Sequence, residues 1–241
     1  MKSLLATVSA LALLGSAAAC DSANKADYDT PQVIAENPST IDDTTTRAAD
    51  AREVYRLASG EYEASDLIGA SVHNTAGDEI AVVSDIWLSD NGSAPMLVVR
   101  DGGIAGVGGD LRTVAFNAAT ITPDASTSGD EPDVIVRYTG DTLSTLPKFE
   151  QASMDDYRLA SEMLGTNVAL TFNGETGRIN DLILSNTGEA RYAVIAADLV
   201  GTNQFVVDAD AITLAQGDTD GEFVLDLSAD AFAKAPEYPR E

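Results

Sequence analysis

Residues 79–88, EIAVVSDIWL, mix apolar and polar positions with a period of two, placing Ile80, Val82, Ile86 and Leu88 in phase for one face and predicting a strand. Asp90-Asn91-Gly92 follows, then residues 95–100, apolar up to Arg100. An apolar strand, an Asn-Gly turn and a second apolar strand make a hairpin. The figure returns at 178–184, Asn186-Thr187-Gly188 and 191–197. Further short strands are predicted at 71–74, 111–116, 120–122 and 134–138, with counterparts at 167–172, 204–207, 211–214 and 222–227. Strands this short, with turns between them, read as small barrels. Residues 141–146 and 229–233 read as brief helical closures, and 48–57 as a short helix ahead of the first barrel.

These recurrences belong to one internal repeat. At an offset of 96 residues, Ala64-Ser65 falls on Ala160-Ser161, Leu67-Ile68-Gly69 on Met163-Leu164-Gly165, and Asp85-Ile86-Trp87-Leu88 on Asp181-Leu182-Ile183-Leu184. Gly92 falls on Gly188 and Val98-Val99 on Val194-Ile195 at the same offset. The offset then drops to 91 at Ile121-Thr122 against Ile212-Thr213, and to 89 at 134–136 against 223–225. Deletions accumulate in loops, so the first copy carries the longer ones. Two copies of this size predict two small domains, 54–149 and 157–238, in an all-β chain of tandem barrels.

The first 53 residues follow other rules. Met1-Lys2, an apolar run over 4–14 and the small residues 15–19 predict a signal peptide over 1–19, the run being shorter than the roughly 20 residues a membrane span needs. Cys20, the sole cysteine, follows Ala18-Ala19. This resembles a bacterial lipobox, which implies lipid attachment at Cys20, although Ala17 stands where Leu is usual. Ala17 and Ala19 also form an A-x-A site for ordinary cleavage, so a soluble periplasmic product stays open as the alternative. Residues 20–53 hold few large apolar side chains and cannot offset their ordering entropy. They read as a tether, whose r.m.s. span would be roughly 30 Å.

Charge narrows the functions. The 241 residues carry 39 acidic against 14 basic side chains, a formal net charge of −25. Nucleic acid is excluded as a partner, because phosphate contacts need Lys and Arg to replace counterions. With one cysteine and one histidine, a Cys/His zinc site, a disulfide framework and a CxxC redox motif are out of reach.

The run ASDLIG, a strand, N-x-x-G-x-x-I, V-x-D-I-x-L, an N-G turn and a Gly-rich stretch before a V-A-F strand resembles the PRC-barrel domain. The family is named for the photosynthetic reaction-centre H subunit, and a related barrel forms half of a ribosome-maturation factor. The resemblance covers about 64–146 and 160–236. The second copy departs from it where 198–203 replaces the longer 102–110 loop and where Thr176 stands in place of Ile. What it implies is a fold and a role in docking onto larger assemblies, with no catalytic residues and no cofactor.

Candidate chemistry is sparse. The glycine-rich stretch 102–109 lacks the following helix and the Lys of a phosphate loop, so it reads as a barrel loop between Asp101 and Asp110. His73 reads as a surface or strand-face residue. Residues 218–222 and 124–133 offer oxygen-rich runs without the rest of a calcium loop; a hairpin turn explains the first, with a weak ion site as its alternative, and a solvated loop the second. Asp85 and Asp181, at matching motif positions, are expected to fix a turn or bulge by accepting backbone N–H groups. Trp87 is out of phase with Ile86 and Leu88, so it is expected to point away from its own core, toward the other barrel or a partner surface. The function expected is a non-catalytic docking module bound to an envelope or membrane protein and held to the membrane by lipid alone. The alternative is a periplasmic protein that binds an ion or small molecule, or an enzyme, using a carboxylate-lined groove between the barrels.

Overall fold

The computed structural model describes residues 52–88, 94–102, 109–122, 132–150, 159–197, 201, 203–214 and 223–239; the expected signal peptide, Cys20 and all of the expected tether but residues 52 and 53 lie outside them. The first copy runs β1 (Tyr62–Glu63), α1 (Ala64–Leu67), β2 (Ser71–Asn74), β3 (Glu79–Trp87), β4 (Met96–Asp101), β5 (Leu111–Ala115), β6 (Ala119–Thr122), β7 (Asp133–Val136) and α2 (Gly140–Leu143). The second runs α3 (Ala160–Met163), β8 (Asn167–Leu170), β9 (Glu175–Leu184), β10 (Ala190–Ala196), β11 (Gln204–Asp208), β12 (Ile212–Leu214), β13 (Phe223–Leu225) and α4 (Ala229–Phe232). The described chain is mostly β, and each copy folds its strands into a half-barrel.

The two sheets share one topology, β5-β4-β3-β2-β7-β6 and β11-β10-β9-β8-β13-β12. Among the named strands of the described residues, β2 with β7 and β8 with β13 pair in parallel and the others antiparallel. A 3-10 turn, Phe116–Ala118 in one copy and Ala209–Ala211 in the other, carries the chain from one sheet edge to the opposite one. Caps end the copies: the Thr139 hydroxyl accepts the Thr142 N–H ahead of α2, and Ser228 accepts the Ala231 N–H ahead of α4.

Strand register corrects three expectations. Ala81 and Val83, rather than Ile80 and Val82, are the buried apolar positions of β3 before Ile86, because register shifts between Val83 and Asp85. A bulge adds one residue and reverses the phase of everything after it. The offset in the β6 region is 93, not 91: Ala119 and Ile212 are the equivalent first residues, pairing with Val136 and Leu225. A slip of two preserves the face of every side chain, which is why the shorter loop looked two residues different. Residues 52–57 are not helical; Val54 forms a parallel bridge with Glu237, and the Tyr55 N–H donates to the Glu237 carbonyl at 2.8 Å.

The repeat boundary is not a boundary in packing. Residues 48–241 form one compact unit, and buried side chains of both copies, among them Leu67, Ile86, Phe116, Ile179, Leu182 and Ile195, belong to one cluster. The reason is an exchange. β8 pairs with β9 only up to Arg178, leaving the rest of that edge open. The first copy's β1 occupies it, with Tyr62 opposite Leu184 and Glu63 opposite Ile183. Reciprocally, Leu159 ahead of α3 bridges to Trp87 at the end of β3.

The chain ends reinforce the second sheet. Glu237 bridges to Phe205 as well as to Val54, so the tail and residues 53–55 extend the sheet beyond β11. Tyr55, Tyr192 and Tyr238 cover Ile183, Val194 and Val206 on its outer face. The Tyr55 hydroxyl donates to Glu61 Oε2 at 2.7 Å. Burial first, then that hydrogen bond, raises the pKa of Tyr55; burial and a hydrogen bond with Glu63 raise that of Tyr238.

Candidate functional site

The bulges that reverse strand phase also set the two motif carboxylates. Past the bulge, Asp85 and Trp87 lie on the face of β3 opposite Ile86, and Asp181 and Ile183 lie likewise on β9. Each carboxylate is buried, at 8% and 7% exposure, and accepts the N–H of its following residue, Ile86 or Leu182, at 2.7 Å. The remaining bonds come from the other copy. The Ser65 N–H donates to Asp181 Oδ1 at 3.2 Å and the Ser65 hydroxyl to Asp181 Oδ2. The Ser161 N–H donates to Asp85 Oδ1 at 3.2 Å and the Ser161 hydroxyl to Asp85 Oδ2. One buried carboxylate per copy thus holds the first turn of the other copy's helix, about a pseudo-two-fold axis. Burial raises the pKa of Asp181 against the opposing effect of these donors.

Just past each helix the chain returns to its own sheet, the Gly69 N–H reaching the Val83 carbonyl at 2.9 Å and the Gly165 N–H the Ile179 carbonyl at 2.7 Å. The Ala-Ser pair was visible in the repeat, but its partner was not, because within one copy the serine and the aspartate are 20 residues apart with nothing local to join them.

Trp87 is partly buried and meets Phe149 edge-on at a centroid distance of 5.2 Å. Its indole nitrogen is enclosed, with no hydrogen-bond partner among the described residues. His73 lies on β2 with Nε2 3.4 Å from Asp133 Oδ1. The stem of the glycine-rich loop is a hairpin: Arg112, 8% exposed, donates from Nε to Asp101 at 3.0 Å, from Nη2 to Asp110 at 3.1 Å and from Nη1 to the Leu146 carbonyl at 2.5 Å. Lys148, 2.8 Å from Asp110, holds that carboxyl below the usual carboxylate range. A strand follows the loop, and in the second copy Phe205 stands in place of Arg112, with the Arg52 guanidinium 4.3 Å from its ring centroid. Residues 103–108, 123–131 and 215–222 lie outside the described residues, and with them most of the oxygen-rich runs. Among the described residues no group of three or more His, Cys, Asp or Glu is placed to hold a metal ion.

A cavity of about 610 Å³ opens beside the second copy's 3-10 turn. Its apolar walls come from Leu182, Ala190, Ala209 and Ile212 of the second barrel, Met163 of α3 and Leu88 of the first copy. The exposed Glu189, Arg191, Asp208 and Asp210 make more of its accessible lining polar than apolar, and Tyr192 adds a ring. This site escaped the sequence reading. The informative signal was Phe116 against Ala209, which face each other only at the offset of 93.

Residues 59–131 match the PRC-barrel domain family model, a span reaching from the segment before β1 to the residues just ahead of β7. No curated protein matches the chain.

Proposed function

We propose that this chain is a non-catalytic docking module, a pair of PRC-like barrels held at the periplasmic face of a bacterial membrane by lipid on Cys20. The observation that supports docking is the cavity beside Ala209, whose buried and half-buried lining residues are mostly apolar and whose exposed ones are charged. Burying one apolar anchor inside a polar rim is how protein interfaces concentrate binding energy in a few side chains. The conserved geometry of Asp85 and Asp181 in the two copies supports the same reading. A carboxylate used for acid-base work must reach a substrate proton, whereas these accept serine and backbone donors across the seam between copies. Membrane attachment rests on Cys20 and the polar run behind it; among the described residues no helix is long and apolar enough to cross a bilayer.

The test is site-specific photo-crosslinking in cells that make the protein, with the crosslinker at Ile212 in the cavity or at the exposed Thr213 beside it. One membrane or envelope protein is expected from Ile212 and not from Thr213, and Cys20→Ala is expected to move the protein into the soluble periplasmic fraction. A chain that stays membrane-bound with Ala at position 20 removes the lipid anchor from the reading. Absence of any Ile212-specific product, together with copurification of a metal or small molecule, replaces docking with ligand binding in a groove.

A further inference from the structure

We propose, building on the docking reading, that the cavity beside Ala209 receives an aromatic side chain from a partner polypeptide whose flanking residues are basic. The argument starts from the pseudo-symmetry. The 3-10 turns Phe116–Ala118 and Ala209–Ala211 occupy the same place between equivalent strands, and the residues before them have nearly the same backbone, φ −57° and ψ 131° at Ala115 and φ −60° and ψ 132° at Asp208. Phe116 and Ala209 are therefore the same position in the two copies. Phe116 is 1% exposed and shares a buried cluster with Leu67, Ile86 and Leu184, the counterparts of Met163, Leu182 and Leu88 in the cavity wall. Its side chain packs closely against the other copy: a Cβ added to Gly188 would fall 2.4 Å from Phe116 Cγ. On one side of the axis the fold thus builds a seat for a phenyl ring and fills it. On the other side the equivalent Met163, Leu182 and Leu88 line the place of the ring, the counterpart of Gly188, Gly92, lies outside the described residues, and about 610 Å³ is open among the described ones, a volume in the usual range of ligand sites.

The wall and the mouth specify the occupant further. Met163 replaces the Leu67 of the filled side, and a thioether makes favourable contacts with aromatic rings. Asp208 and Asp210 replace the neutral Ala115 and Asn117 of the filled side. With Glu189 they outnumber Arg191, the one basic residue among the described residues that line the cavity, whose guanidinium already lies 3.4 Å from Glu61. The acids therefore stand on the open side, where an incoming segment with Lys or Arg beside its aromatic would meet them.

The test uses the protein without its signal peptide and three probe peptides, acetyl-Lys-Lys-Xaa-Lys-Lys-amide with Phe, Leu or Ala at the centre, followed by NMR. The Phe peptide is expected to shift the signals of Ala209, Met163 and Ile212, and to bind about tenfold more tightly than the Ala peptide and more tightly than the Leu peptide. Ala209→Phe, which supplies the missing ring from within, is expected to raise the melting temperature and abolish binding. Replacing Asp208 and Asp210 together by Asn is expected to weaken binding and flatten its salt dependence. Equal affinity for Phe and Leu, both lost in Ala209→Phe, overturns the aromatic preference and leaves docking standing. Binding that survives Ala209→Phe overturns the site, and no binding by any probe overturns the inference. In either case an Ile212-specific crosslink would still uphold docking. Should Ala209→Phe fail to fold by near-UV circular dichroism, Met163→Phe fills the cavity from the facing wall, and the same outcomes are read from it.

Discussion

Ser65 and Asp181 meet from 116 positions apart, and that contact concentrates what holds the two copies together. Ser65→Ala leaves the buried carboxylate one donor short and is expected to cost about 2 kcal/mol in urea unfolding, hydrogen bonds to charged groups lying near the top of the usual range. Because burial raises the Asp181 pKa, the folded protein takes up this proton at a higher pH than the unfolded chain. That contribution is fully present below the unfolded value, about 3.9, and is lost as pH rises through the folded one. Asp181→Asn keeps the size and stands in for the protonated acid, one oxygen accepting and the amide nitrogen donating to the Ser65 oxygen, so its stability relative to the native chain is expected to be greatest at neutral pH and to shrink as the pH is lowered toward about 4. A difference that stays constant with pH overturns the role of burial. Gly188 is constrained twice, by its φ of +87° and by Phe116; Gly188→Ala is expected to cost about 3 kcal/mol, and a change within about 0.5 kcal/mol would mean that Phe116 has another place to go.

At the scale of elements, alternation and turn residues in the sequence located the strands well, since a half-barrel buries one face of each strand and leaves period two in the chain. The bulges at Asp85 and Asp181 were not legible in their effect on phase, because an extra residue is visible only against the partner strand. The exchange of β1 and α1 was hidden for a related reason: ASDL contains nothing that distinguishes its own barrel from the other. The cavity failed to show because its signature is a side chain that is missing, Ala209, and seeing it requires the correct register. Exchange also sets an expectation for dissection. Residues 52–150 and 151–239 produced separately each lose the segment that completes the partner's sheet edge, along with Ala64 and Leu67 or Ala160 from the common core, all fully buried. Each half alone is expected to lack fixed near-UV circular dichroism, and mixing is expected to restore it. Two halves that each fold as monomers would mean that the seam contributes little.

For the molecule as a whole, a net charge of −25 places like charges close together over the surface, a self-repulsion that dissolved salt screens over a Debye length of about 10 Å at 0.1 M. The melting temperature is accordingly expected to rise from low salt to moderate NaCl, and a flat or falling trend overturns this. Residues 53–55 and β1 enter the structure through the second copy's sheet, by way of Glu237 and Leu184, and that same sheet carries Leu182, Ala190 and Ile212 of the cavity wall. Mechanical load applied to the chain ahead of Arg52 and resisted at the cavity would therefore travel through β9, β10, β11 and the tail, while the first copy's sheet hangs beside the line of tension. The cross-strand bonds around Tyr55, Glu237 and Leu184 would then be the shear pins of the assembly, yielding before either barrel is pulled open.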